Sequence, residues 1–244
     1  MAAEARPRFL RAVSVSDRAP SSGYPYDIPA VASLGDLTLG PVTVFVGENG
    51  SGKSTLIEAI AVTAGLNAEG GSRHLQFQTM DTHSELGTFL EPLWASRPQW
   101  GWFLRAETFY GMATHIAQDD PNYGITHMFP DLHSRSHGES FITLIEHRFG
   151  GPGLYLMDEP ESALSFQGQL GLLRFIHDGL QEGAQFVIAT HSPLLMRMPG
   201  ALIYELDDGG IHSCDYDDLN VVGLWRRFLE SPERLLEVLF SNDE

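Results

Sequence analysis

The segment GENGSGKST at Gly47–Thr55 limits the folds open to this chain more than any other stretch. It follows Val42–Val46, a short β-branched run that reads as a buried parallel strand. It precedes Lys53–Ala64, where Leu56, Ile57, Ile60 and Ala61 recur at helical spacing and Gly65 offers a stop. A strand must therefore turn sharply through glycines into a helix, and such a unit buries itself only in a layered sheet with helices on its faces. The alternation returns at Leu154–Met157, in a helical pattern of Phe166, Leu170, Leu173, Ile176 and Leu180, and in strands at Phe186–Ala189 and Ala201–Leu206. The expectation is an α/β fold with a mainly parallel sheet flanked by helices, its strand-end loops sharing one sheet edge.

The glycine loop also carries chemistry. Gly47–Ser54 fits G-x-x-x-x-G-K-[ST] in full. Across Gly47, Glu48, Asn49, Gly50, Ser51 and Gly52 the backbone N–H groups can turn toward phosphates, and the helix N-terminus adds partial positive charge. Of fifteen basic residues, only Lys53 is a lysine. An arginine-biased chain thus keeps one compact, flexible ammonium at the position suited to reach between phosphates. Lys53 is expected on the β- and γ-phosphates of a nucleotide, Ser54 on Mg²⁺ and Thr55 on the α-phosphate.

GLYLMDEPES at Gly153–Ser162 is an apolar strand ending in two carboxylates, with a proline that stops it. Asp158 is placed to hold Mg²⁺ through water, and Glu159 to orient or deprotonate an attacking water. VIATHSPLL puts His191 directly after a second apolar strand, within reach of a γ-phosphate if the two strands share an edge.

GENGSGKST, SHGES, LYLMDEPESALS and IATHSP, in that order, resemble the motif set of ABC-type ATPases in the P-loop superfamily. Asp158 lies 22 residues beyond Ser136 and 33 before His191, similar to that family's order. FLRAE at Phe103–Glu107 and GALIYELDD at Gly200–Asp208 look like the compact stand-alone predicted ATPases grouped with AAA or ABC proteins. The resemblance implies ATP and Mg²⁺ as ligands, and a signature motif at Ser136, His137, Gly138 and Glu139 whose serine and glycine contact the γ-phosphate held by an opposite subunit. Departures from the pattern are visible. SHGE stands where SGGQ is common, Ser165 where Asp is common, and Glu107 is the best substitute for an absent glutamine loop. Tyr24 and Tyr26 precede the loop where such ATPases often stack adenine, although packing on the first strand is the competing reading.

The net charge is −17, and nearly all of the excess follows residue 80, where 9 basic residues face 25 acidic ones. That balance disfavours a broad nucleic-acid surface and leaves only a local arginine patch such as Arg226 and Arg227 open. A single cysteine, Cys214, excludes a disulfide framework and points to a reducing compartment, with cytoplasm as the expected location. No stretch reaches the roughly 18 apolar residues of a membrane span, so direct insertion is not expected.

The expected organisation is one ATPase domain over residues 1–244. Its nucleotide-binding core spans 1–79 and 150–215, a mostly helical inserted lobe bearing the signature spans 80–149, and a helical segment spans 216–244. The function this implies is an ATP-hydrolysing switch that homodimerises around ATP and acts on an unidentified protein partner. The alternatives are the ATP-binding subunit of a membrane transporter and a nucleotide sensor that does not turn over.

Overall fold

The computed structural model describes residues 9–68, 84–105 and 151–241. Its elements in chain order are β1 (Leu10–Val15), α1 (Pro29–Ala32), β2 (Leu37–Thr38), β3 (Val42–Gly47), α2 (Lys53–Thr63), α3 (Leu86–Phe89), β4 (Leu90–Trp94), β5 (Trp100–Arg105) and β6 (Gly153–Asp158). There follow a 3₁₀ turn (Pro160–Ala163), α4 (Phe166–Gln181), β7 (Gln185–Ala189), α5 (Pro193–Met196), β8 (Leu202–Asp207), β9 (Gly210–Ser213), a second 3₁₀ turn (Tyr216–Asp218), α6 (Asn220–Glu230) and α7 (Pro232–Ser241).

Six strands form the central sheet in the order β5-β6-β7-β3-β8-β9. The first five run parallel, and β9 returns antiparallel to β8. Continuous apolar runs make the central strands because both faces are covered. Alternate residues divide between them. Val42, Val44, Met157, Phe186 and Ile188 meet α4 and α5 on one face. Phe45, Phe103, Leu156 and Val187 meet α2 and a three-stranded antiparallel sheet, β2-β1-β4, on the other.

Helix α4 starts at Ser165, whose hydroxyl accepts from the Gly168 N–H at 3.2 Å. Its buried stripe is Leu172, Ile176 and Leu180, one residue every fourth position, and each contributes about 1.5–3 kcal/mol by leaving water. The helical pattern expected from Phe166 to Leu180 is present, with Phe166 and Leu170 on the exposed side. Helix α2 ends in a left-handed Gly65 (φ 76°), with the Leu66 N–H donating to the Ala61 carbonyl at 2.9 Å.

The boundary of the helical lobe is also corrected. Residues 90–94 and 100–105, expected in a mostly helical insertion from residue 80, are strands. Pro92 sits in β4 because that strand is an edge of the small sheet and has no ladder partner on its free side. Strand β5 pairs in register with β6, from Trp100↔Gly153 to Arg105↔Asp158, and so belongs to the core. The remainder of the expected lobe, residues 80–83 and 106–149, lies outside the described residues.

Side chains join the two sheets: the Tyr204 hydroxyl on β8 donates to the Thr38 carbonyl on β2 at 2.9 Å, and Gln185 makes the buried link. Gln185, fully buried at the start of β7, accepts from the Phe9 and Leu10 N–H groups through Oε1 at 2.8 and 2.9 Å. Its Nε2 donates to the Leu10 and Gly40 carbonyls at 2.7 and 2.8 Å. Both donors and both acceptor positions of the amide are used.

Candidate functional site

The register of the parallel strands aligns their carboxyl ends. Arg105 lies opposite Asp158, Asp158 opposite Ala189, and Ala189 opposite Phe45. The glycine loop, the acidic pair and the histidine loop therefore leave the same sheet edge, where ligands of open α/β sheets bind.

Gly47 and Gly52 are required by geometry. A Cβ at Gly47 would collide with the Leu206 carbonyl oxygen and lie 2.6 Å from Ser51 Oγ. Gly52 caps α2 with φ 100°, and a Cβ there would stand 2.8 Å from Ile28 Cγ2. The loop so formed directs the first-turn N–H groups of α2, at Lys53, Ser54 and Thr55, outward without intrahelical acceptors. Ser51 Oγ is buried with no hydrogen-bond partner.

Lys53 is 4% exposed, and its ammonium donates to the Gly47 and Glu48 carbonyls at 2.8 and 2.9 Å. Burial pushes its pKa below the ordinary 10.5, while the Glu159, Asp158 and Glu161 carboxylates pull it back. Ser54 Oγ donates to Asp158 Oδ1 at 3.0 Å across 104 residues of chain. A hydroxyl and a buried carboxylate brought together at a helix N-terminus are hard oxygen donors, and they fit Mg²⁺ held beside a phosphate.

Glu159 follows Asp158 in a left-handed conformation (φ 48°, ψ 48°), the one positive φ outside glycine among the described residues. The turn is held from both sides. The Glu159 N–H donates to the Ala189 carbonyl at 2.9 Å, and the Ser162 hydroxyl donates to the Glu159 carbonyl at 2.9 Å. Strain of this kind persists where surrounding structure over-determines it. Glu159 Oε1 stands 3.4 Å from His191 Nε2, within ion-pair reach but not aligned as a hydrogen bond. Glu161, not singled out from sequence, accepts from the His191 N–H at 2.5 Å and so fixes the histidine loop to the acidic turn.

Tyr24 and Tyr26 separate in the structure. Tyr26 is buried in a turn, edge-on to Phe89 at 6.3 Å and in the same apolar cluster as Leu10 and Val13 of β1. Tyr24 is 72% exposed, with its hydroxyl 3.4 Å from Thr55 Oγ1. A cleft of about 550 Å³ beside the glycine loop is walled by Glu48, Glu205, Asp207, Asp208 and His191. Its carboxylates repel a polyanion, so the phosphate-facing direction is the first turn of α2. Ser136, His137, Gly138, Glu139 and Glu107 lie outside the described residues.

Sequence reasoning did not find Glu58. It sits in α2, buried, and accepts from Arg105 Nη1 at 2.9 Å. Arg105, at the end of β5, also has its Nε 3.7 Å from Asp158 Oδ2.

Two family models match. One, described as an AAA domain, matches residues 35–88 and takes in the glycine loop. The other, described as "AAA domain, putative AbiEii toxin, Type IV TA system", matches residues 110–197 and takes in Asp158, Glu159 and His191. A "Putative ABC transporter ATP-binding protein" of Methanothermobacter thermautotrophicus is 29% identical over 98 residues, 38% of this chain. The match spans about a third (35%) of that relative's length. Among solved structures, the SMC head domain from Thermotoga maritima aligns with 85% of this chain and all of its own, at TM-score 0.48 and 16% identity. A transporter structure titled "An inward-facing conformation of a putative metal-chelate type ABC transporter" aligns with 87% of this chain and 86% of its own, at 0.46 and 18%. The glycine loop between β3 and α2 and the acidic pair ending the adjacent-but-one strand thus fall within two separate AAA-domain matches, and over those stretches the chain is similar to AAA-domain proteins.

Proposed function

We propose that this protein binds Mg·ATP at Gly47–Thr55 and hydrolyses it, using closure of two subunits around nucleotide to act on a protein partner. The observation that carries the reading is the Ser54–Asp158 hydrogen bond, which joins the phosphate loop to the acidic strand end and brings Glu159 and His191 beside it. Bound Mg²⁺ would neutralise charge developing on the β- and γ-phosphates. Ser54 and Asp158 hold it, Lys53 screens the phosphates, Glu159 orients or deprotonates water, and His191 supports the γ-phosphate. Thr55 and the loop N–H groups bind the remaining phosphate oxygens.

Family resemblance assigns the open side of the nucleotide to Ser136 and Gly138 of a second copy, with His137 and Glu139 flanking them and Glu107 in the glutamine-loop position. A two-fold arrangement completes both sites with one self-complementary interface. The test is sedimentation with phosphate-release kinetics. Glu159→Gln should bind Mg·ATP, accumulate as a dimer and release no phosphate, and Lys53→Ala should lose binding. A Glu159→Gln protein that turns over like wild type, or stays monomeric in saturating Mg·ATP, refutes this assignment. The relative named for ABC transport supports a second reading, an ATP-binding subunit of a transporter. Co-purification with a multispanning membrane protein would favour it.

A further inference from the structure

The end of β5 bears a residue that motif reading leaves without a role at the phosphate site. Arg105 lies between two carboxylates, Glu58 on α2 and Asp158 on β6, and all three side chains are largely buried, at 19%, 12% and 8% exposure. Its Nη1 donates to Glu58 Oε2 at 2.9 Å and to the Ala68 carbonyl at 3.4 Å, and its Nε faces Asp158 Oδ2 at 3.7 Å. The other oxygen of Glu58 accepts from the Ser84 N–H at 3.4 Å. The other oxygen of Asp158 accepts from Ser54. The order Glu58, Arg105, Asp158, Ser54 is therefore a chain of contacts in which each carboxylate uses its two oxygens in opposite directions.

Resting on the reading of Ser54 and Asp158 as the Mg²⁺ site, we propose that Arg105 is a positioning residue for that site. It anchors Asp158 Oδ2 so that Oδ1 faces Ser54, and Glu58 anchors the guanidinium in turn. The planar fork of arginine spans both carboxylates, which a lysine ammonium cannot do in one geometry. Glu58 also balances the cation, so the cluster keeps a net negative charge next to the metal position. Outer-sphere partners of this kind orient metal-bearing carboxylates and govern metal affinity.

Charge and position predict opposite signs for Arg105→Ala. By charge alone, deleting a cation beside Asp158 strengthens attraction for Mg²⁺. By position, the freed carboxylate turns and Mg²⁺ binding weakens. The experiment measures binding of the non-hydrolysed analogue adenylyl imidodiphosphate to the full chain by calorimetry, first in EDTA and then across a Mg²⁺ titration. The expected result for Arg105→Ala is unchanged metal-free nucleotide affinity and a half-saturating Mg²⁺ concentration raised roughly ten-fold. Arg105→Lys, which retains the charge and one ion pair, should fall between variant and wild type, and it carries the test if Arg105→Ala does not fold. A folded Arg105→Ala with the same or a lower Mg²⁺ requirement, or Arg105→Lys identical to wild type, overturns the proposal. Wild-type protein whose nucleotide affinity ignores Mg²⁺ would instead refute the underlying site.

Discussion

Replacing Gln185 with leucine tests whether one amide holds the small antiparallel sheet against the parallel core. The substitution nearly keeps volume and removes four hydrogen bonds, those to the Phe9 N–H, the Leu10 N–H, the Leu10 carbonyl and the Gly40 carbonyl. A buried backbone group left unpaired costs about 1–3 kcal/mol, but neighbours relax and the terms do not add in full. The expected loss is about 4 kcal/mol, at the upper end of single substitutions. That is a large part of the roughly 5–15 kcal/mol that holds a domain together. Urea unfolding followed by tryptophan fluorescence should show the midpoint falling by roughly 1–2 M. Gln185→Glu adds a pH signature. A carboxyl facing two carbonyls without water holds its proton in the folded state, so its folded pKa lies above the unfolded value of about 4.3. The folded form then binds more protons, and stability is lost as pH rises from the unfolded toward the folded pKa. The deficit of Gln185→Glu relative to wild type should therefore be wider at pH 8 than at pH 5. A Gln185→Leu midpoint equal to wild type, or a Gln185→Glu deficit independent of pH, refutes the reasoning.

Two further outcomes follow from the phosphate loop and the acidic turn. Because burial depresses the Lys53 pKa below 10.5, the free protein begins to lose that proton at alkaline pH, whereas bound phosphates retain it. ATP affinity should fall as pH rises toward the alkaline range, with proton uptake on binding visible in calorimetry in two buffers; an affinity and proton count that stay constant across the alkaline range contradict it. Glu159→Gly should raise stability by about 1 kcal/mol, since relief of left-handed strain exceeds the entropic cost of glycine, while hydrolysis is lost. Thermal unfolding that shows Glu159→Gly less stable than Glu159→Gln would refute the strain.

The parallel core was legible because strands buried on both faces read as unbroken apolar runs, and because β3, β6 and β7 each lead at or just past their ends into a residue type with evident chemistry. The small sheet was not legible for local reasons. Strand β1 changes register between Leu10 and Ala12, so Leu10 and Val13 face the core together and no period of two appears in the chain. Strand β4 carries Pro92, which reads as a breaker until its edge position is known. In α4 the helical spacing of Phe166, Leu170, Leu173, Ile176 and Leu180 was legible, but spacing alone does not say which of two apolar stripes finds a partner, and Phe166 and Leu170 are exposed.

Within the site, Lys53 stood out as a unique residue type, and Asp158, Glu159 and His191 by their places after strands. Glu58 and Gln185 had no such mark, since partners 47 or 175 residues apart leave no local pattern. One inference was nonetheless within reach. Trp102–Leu104 is an apolar run like Val42–Val46, and treating it as a parallel strand rather than part of a helical insertion places its last residue at the same sheet edge as the other strand ends. In-register pairing with β6 then sets Arg105 opposite Asp158. An arginine there must meet the carboxylate or carry its charge into a buried position without a counterion, which the desolvation of a guanidinium forbids. The boundary expected at residue 80 and the unread partner of Asp158 thus have one cause, because assigning β5 to the core is what brings Arg105 to that carboxylate.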